Sequence, residues 1–342
     1  MSSVDHSPIP RKEKVSIEHL LSLLHKRLSV ETEACTAEYL SGERYVTEVN
    51  LHRPGLALAG YVKLFTYQRI QIIGNTEHEY LAHQSESDQK ESFQNLVKFN
   101  IPVIFLTSGN GLPPYLLEMA EKAEIPVFKT ELETTKFMYL LRDLLEDQFA
   151  KQSVVHGSMV DVYGIGILVV GKSGIGKSEV ALDLVERGHR LVADDTVILS
   201  KKQNVLMGAA TDVNKHFMEI RGLGIIDIMS MFGIRSIRYQ KRLEVILELS
   251  LWSEQNDVDR TGLNRDHLTI LGIDIPIIHL PITPGKNITV LAEVIAMNHL
   301  LSHYGYDAAE AFQQKLHERI AQKKSRSKYP KRAVEYFEGD FE

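Results

Sequence analysis

The sequence is short of cysteine, of long apolar runs and of basic charge, and each shortage excludes something. Among 342 residues there is one cysteine, Cys35, so no disulfide forms within the chain, which suits a reducing compartment. No apolar run approaches the roughly 18 residues that span a bilayer, so a membrane helix is not expected. The opening residues MSSVDHSPIPRKEK lack the apolar segment of a signal peptide. Acidic residues outnumber basic ones by 45 to 39, for a formal charge of -6. A surface built to coat nucleic acid leans the other way, so that class loses weight and only a local basic patch stays open. Hydrophobic residues at 44% and charged residues at 25% are ordinary for a folded chain and argue against global disorder. The expectation is a soluble, cytoplasmic protein of about two domains, at roughly 150 residues each.

Residues 1–14 are polar with two prolines and read as a loose tail. From there Ile17, Leu20, Leu21, Leu24 and Leu28 recur at spacings of three and four, a helix period. A turn falls at Arg53-Pro54-Gly55, and 56–73 mixes strand-like apolar runs with a connecting helix. Then come a β-branched strand at 101–106, a loop at 107–114, a helix at 115–123, a strand at 125–128 and a long amphipathic helix at 130–150. Strand and helix alternating over short links indicate parallel α/β structure, so 15–150 reads as an α/β domain without a chemical motif. A boundary near Lys151 follows, after which glycine becomes frequent between Gly157 and Gly233, as where backbone approaches a ligand. Further strands are expected at 244–249 and 275–282, the first alternating apolar and acidic as a strand with an exposed face does. A helix at 287–302 closes the core. Residues 313–342 form a C-terminal extension with Lys323, Lys324, Arg326, Lys328, Lys331 and Arg332, either a solvated tail or a docking segment.

The strongest signal is Gly171-Lys172-Ser173-Gly174-Ile175-Gly176-Lys177-Ser178. It matches GxxxxGK[ST] at every fixed position, which arises by chance in only about one in 100 chains of this length. An apolar run at 165–170 leads in and the helix-periodic EVALDLVER at 179–187 leads out, the strand–loop–helix setting the motif requires. Phosphate oxygens need several backbone N–H groups, so the three glycines let the chain curl around them, and the helix start adds its positive end. Lys177 supplies a cation to the β- and γ-phosphates and the Ser178 hydroxyl is the expected Mg²⁺ ligand.

Some ten residues on, HRLVADD at 189–195 reads as a strand ending in Asp194 and Asp195. In open α/β sheets ligands sit at the carboxyl ends of strands, which puts this pair near the phosphate loop. One carboxylate could hold Mg²⁺ through water while the other takes a proton; alternatively the pair is a turn or a helix cap. EIRGLGIID at 219–227 suits either a mobile loop over the site or a bulged strand. His156 and Arg260 say little by spacing alone.

Together these segments resemble the bifunctional bacterial HPr kinase/phosphorylases. The resemblance rests on His156-Gly157, GKSGIGKSE at 171–179, RGHRLVADD at 187–195, EIRGLGIIDI at 219–228, Asp259-Arg260 and the 281–286 loop, and runs in order over 154–306. It implies an N-terminal α/β domain followed by a P-loop kinase domain, at 151–312, related to phosphoenolpyruvate carboxykinase. It also implies ATP- and Mg²⁺-dependent phosphorylation of a serine on HPr, and its removal by phosphorolysis, in which inorganic phosphate attacks and pyrophosphate leaves. Regulation of carbohydrate metabolism and a homohexamer follow from the same source. By the resemblance Asp194 is the base, Lys177 steadies the transferring group, Ser178 and Glu219 are Mg²⁺ ligands, and His156 and Arg260 fall on active-site positions. Residues 219–228 are linked to both reactions and 281–286 to dephosphorylation. Where the family usually carries arginine in that last loop, this chain has Lys286, which keeps the charge and loses the bidentate fork.

Two other classes fit parts of the pattern. A small-molecule kinase acting on a carboxylated metabolite would show ATP turnover indifferent to HPr. A nucleotide-switched binding module would bind ATP without transfer, and has no need of the Asp194, Glu219 and Arg260 set.

Overall fold

The computed structural model describes residues 6–36, 44–252, 266–283 and 285–325, with side chains up to 320. The chain divides into two compact units, one of His6–Val154 with Ile198–Met207, the other containing Val155–Val197 and the chain from Gly208 onward.

In the first unit a five-stranded sheet runs in the order Glu33–Ala34, Val127–Lys129, Ile104–Leu106, Ile70–Ile73, Leu51–His52. The last four are mutually parallel and the first is an antiparallel edge. Alternation along these short strands divides the side chains between two cores. Ile70, Ile72 and Phe105 pack with Leu20, Leu24, Phe137 and Leu141 on one face, and Ile73, Ile104, Leu106 and Val127 with Phe93, Leu96 and Leu116 on the other. The helix period at 17–28 produces the helix Ile17–Leu28, whose start is capped by the Ser16 hydroxyl accepting from the His19 amide at 3.2 Å. The expected loose tail is ordered in part: His6–Ile9 is a strand, and Arg11 Nε donates to the Phe149 carbonyl at 3.0 Å.

The second unit is built on a six-stranded mixed sheet in the order Arg190–Ala193, Ser158–Val162, Ile165–Gly171, Val245–Leu251, Ile273–Ile282, Asp266–Ile270. Its three central strands are parallel, and both flanks are antiparallel. The helices Lys177–Glu186 and Ile288–His303 cover one face, burying Ala181, Leu184, Ala292 and Ala296 against Val169, Leu247 and Leu249. The exposed face expected for the strand at 244–249 is a correction: Val245–Leu251 lies between two neighbours, and Glu248 is only 7% exposed. Its acidic residue is tolerated because His279 Nδ1 lies 2.6 Å from Glu248 Oε2.

An ionic cluster of buried Glu293 and His189 with the exposed Arg187 ties the two covering helices. Glu293, only 6% exposed, accepts from Arg187 Nε and Nη2 at 2.9 and 2.6 Å, with His189 Nε2 at 3.0 Å. The Arg187 hydrogen bonds, helped by His189 and opposed by burial, hold the Glu293 carboxyl at about 2 against an ordinary 4.5. A depressed carboxyl pKa stabilises the fold above the ordinary value, and that stabilisation is lost as pH falls from 4.5 toward 2. Glu293→Gln is therefore expected to lower Tm at pH 7 by about 5 °C. In melting curves the gap to wild type should narrow as pH is lowered through this window; a gap that is constant with pH would assign the loss to packing.

Candidate active site

The phosphate loop forms as its glycines require. The strand Ile165–Gly171 enters it and the helix Lys177–Glu186 leaves it, with Gly171, Gly174 and Gly176 at φ of 145°, 79° and 104°, a region that side chains disfavour. A Cβ on Gly171 would stand 2.5 Å from the Leu249 carbonyl, and one on Gly174 would run into the Arg221 guanidinium. Lys177 is buried, its ammonium donating to the carbonyls of Gly171 at 3.1 Å and Lys172 at 3.3 Å. The Ile175 amide bonds the Lys172 carbonyl at 3.2 Å, closing the loop's turn. Ser173 Oγ accepts from Arg221 Nη2 at 3.3 Å.

Asp194 is the hub of the site. It follows the strand Arg190–Ala193 and is 1% exposed. Ser178 Oγ donates at 3.0 Å to its carboxylate oxygens, and the buried Ser158 hydroxyl donates to Oδ1. Backbone amides of Asp195 and Glu219 also point at this carboxylate. Burial nonetheless dominates and pushes the Asp194 carboxyl above the usual aspartate range, with those four donors pulling the other way. Asn214 fixes the backbone here, its Nδ2 donating to the carbonyls of Asp194 at 2.7 Å and Thr196 at 2.9 Å.

The second aspartate has a different setting. Asp195 takes a positive φ of 64°, which turns its side chain to solvent, where Oδ1 lies 3.3 Å from His156 Nδ1. The Gly157 amide holds the Asp195 carbonyl at 3.0 Å. His156 and Asp195 thus form an exposed pair beside the buried Asp194.

Residues 217–227 form a hairpin of Phe217–Ile220 and Gly224–Asp227 in regular register, so the segment is two paired strands and not one bulged strand. Met218, Ile220 and Ile226 pack on the sheet's core, while Glu219 stands exposed on the opposite side. Lys286 Nζ donates to the Pro281 carbonyl at 3.2 Å. Beside it an open cleft of about 550 Å³ is lined by Glu179, Asp183, Glu186, Lys286, Asn287 and Thr289. Asp259, Arg260 and Pro284 lie outside the described residues.

The structure therefore brings Lys177, Ser178, Asp194 and the backbone of Glu219 together. Ser158, Asn214 and Arg221 belong to the same assembly without having been assigned a role from sequence; only Arg221 lay inside a recognisable segment. Among the described residues no three His, Cys, Asp or Glu side chains are arranged to enclose a metal ion. A hydroxyl and one or two carboxylates suit Mg²⁺, which takes its remaining oxygens from substrate phosphates and water.

Comparison with known proteins gives the class and then the family. Residues 15–145 match the family model of the HPr Serine kinase N terminus, and 147–316 that of the HPr Serine kinase C-terminal domain, so this is a two-domain enzyme of the kinase/phosphorylase class. The HPr kinase/phosphorylase of Chloroherpeton thalassium is 50% identical over 97% of this chain and 98% of its own. That of Prosthecochloris aestuarii is 51% identical over 90% of each. The solved Hpr(Ser) kinase/phosphatase of Coxiella burnetii is 35% identical, covering 46% of this chain and 97% of its own, with a TM-score of 0.42. The chain belongs to the HPr kinase/phosphorylase family. Among the described residues no helix is long and apolar enough to cross a membrane.

Proposed function

We propose that this protein transfers the γ-phosphoryl group of ATP to a serine of HPr with Mg²⁺, and removes it by phosphorolysis with inorganic phosphate. The observation that carries the reading is the buried Asp194 carboxylate bonded to Ser178 at the head of the phosphate-loop helix. It puts a proton acceptor of raised pKa beside the phosphate cradle. In the forward direction Asp194 takes the serine proton as the serine oxygen bonds to the γ-phosphorus and ADP leaves. In reverse a phosphate oxygen bonds to the phosphoserine phosphorus, pyrophosphate forms, and protonated Asp194 returns the proton to the departing serine oxygen. Lys177 and the loop amides neutralise charge in both directions. Ser178 and Glu219 are the residues to hold Mg²⁺, which when bound draws charge from the phosphate oxygens. His156 and Arg260 complete the set as further active-site residues.

This catalytic part lies within 151–312, with 15–150 and 313–342 as separate parts. We read the domain as related to phosphoenolpyruvate carboxykinase, and the protein as a cytoplasmic regulator of carbohydrate metabolism. We read the assembly as a homohexamer from the family resemblance, and an exposed apolar stripe of Val290, Val294, Met297 and Leu301 on one helix supports self-association. A direct test measures ATP consumption with HPr and, separately, with a panel of carboxylated metabolites. Consumption that depends on HPr and leaves it phosphorylated on serine supports the reading; consumption driven by a metabolite with HPr inert would replace it.

Lys286 bears on the balance of the two reactions. Lys286→Arg is expected to raise phosphorolysis by about fivefold through bidentate phosphate contacts, and to leave HPr phosphorylation within about twofold. Pyrophosphate release from phosphoserine-HPr measures it, and an unchanged rate would refute the assignment.

A further inference from the structure

We propose that Ser158 and Asn214 are the positioning residues of the base, Ser158 holding the Asp194 carboxylate and Asn214 the backbone turn that carries it. This rests on the functional reading above and adds to it the two side chains that aim the base. Alternate residues of a strand share a face, so Ser158 stands beside Val160 and Val162, opposite Val169 of the neighbouring strand. All three valines are core residues, and Ser158 is itself fully buried. A hydroxyl in such surroundings costs free energy unless it finds an acceptor. The acceptor it has is Asp194 Oδ1, and this hydrogen bond fixes the plane of the carboxylate from the protein side.

The backbone that carries the base is strained. Asp195 has a φ of 64°, disfavoured for a residue with a Cβ, and the Thr196 amide reaches back to the Asp194 carbonyl at 2.8 Å, closing a three-residue γ-turn. This turn sends the two neighbouring carboxylates apart, Asp194 inward to Ser178 and Asp195 outward to His156. Such a backbone persists only where its surroundings hold it. Asn214 does so with both donors and both acceptor sites of its amide in use. Nδ2 donates to the carbonyls of Asp194 and Thr196, on the two sides of the strained residue, and Oδ1 accepts from the amide and hydroxyl of Thr211 at 2.7 and 2.6 Å. The Asn214 carbonyl accepts from the Phe217 amide at 3.1 Å, at the start of the strand that carries Glu219. One residue thus sets both the turn of the base and the strand whose Glu219 amide points at the Asp194 carboxylate.

The test compares Ser158→Ala and Asn214→Asp in the full-length protein, each alone and each combined with Asp194→Asn. Asn214→Asp keeps the shape and replaces the donating Nδ2 by an oxygen that repels the two carbonyls. Ser158→Ala removes only a hydroxyl, and so tests the proposal even where the turn variant melts early. The expected result is a kcat lowered by about tenfold or more in HPr phosphorylation and phosphorolysis alike, with KM for HPr and Kd for ATP within about twofold of wild type. In the Asp194→Asn background neither substitution should lower the rate further, because both act through that carboxylate. A kcat for Ser158→Ala within about twofold of wild type, or losses that multiply with that of Asp194→Asn, would overturn the proposal while the functional reading stands. A loss carried by KM or by ATP affinity with kcat unchanged would overturn it too, by reducing both residues to structural support. Wild type that leaves HPr unphosphorylated with Mg²⁺-ATP would remove the functional reading itself, and these roles with it.

Discussion

Asp194→Asn is expected to lower the rate of HPr phosphorylation by about 10³-fold, and that of phosphorolysis by a similar factor. The side chain keeps its size and accepting oxygen but cannot take the serine proton or give it back. Loss of both directions together follows from one group serving both. The same environment separates this loss from unfolding. Burial raises the Asp194 carboxyl above its ordinary range, so the folded state binds this proton more tightly than the unfolded chain does. Its stabilising contribution is present at low pH and is lost as pH rises through the folded pKa, leaving the ionised carboxylate a burden at neutral pH. The asparagine variant should accordingly melt no lower than wild type at pH 7, and a lower Tm would show that the carboxylate's four donors outweigh its burial. For wild type, the acid limb of kcat/KM should lie above the pH at which an ordinary aspartate titrates, because the base works only when deprotonated.

Lys177→Ala is expected to reduce kcat by about 10² to 10³-fold in both directions, and to weaken ATP binding by roughly tenfold or more. The ammonium is buried and shared between the carbonyls of Gly171 and Lys172. Its removal takes away the loop's internal clasp as well as the charge that meets the phosphates. Lys177→Arg should not restore activity, since a planar fork does not fit where a compact ammonium closes onto two neighbouring carbonyls. Nucleotide titration and steady-state rates of both reactions measure this. Full activity in the arginine variant would reduce the lysine to a generic positive charge.

The parts of the site whose placement was legible in the sequence are those assembled locally. The phosphate loop is a contiguous motif, and its glycines take the left-handed backbone expected of them. Asp194 follows a short apolar strand and falls beside the loop because adjacent strands bring it there, with Ser158–Val162 lying between Arg190–Ala193 and Ile165–Gly171. What escaped was assembled from distance. Ser158 and Asn214 reach Asp194 from 36 and 20 residues away, with no motif around either. The helices Asn75–Ala82 and Glu86–Val97 escaped because they are largely polar, and the second buries only Phe93, Leu96 and Val97 among its apolar residues. Glu248 misled through alternation, since a buried carboxylate paired across strands with His279 mimics a solvent-facing one.

The central claim is that one site adds phosphate to HPr from ATP and removes it with inorganic phosphate. Intact-mass spectrometry of HPr incubated with the protein and Mg²⁺-ATP tests it most directly, followed by nucleotide removal and addition of excess phosphate. The expected result is one phosphate gained on a serine, then lost with an equal amount of pyrophosphate released, and neither change with Asp194→Asn. Phosphate lost as free orthophosphate without pyrophosphate, or an HPr mass unaltered by Mg²⁺-ATP, would contradict it.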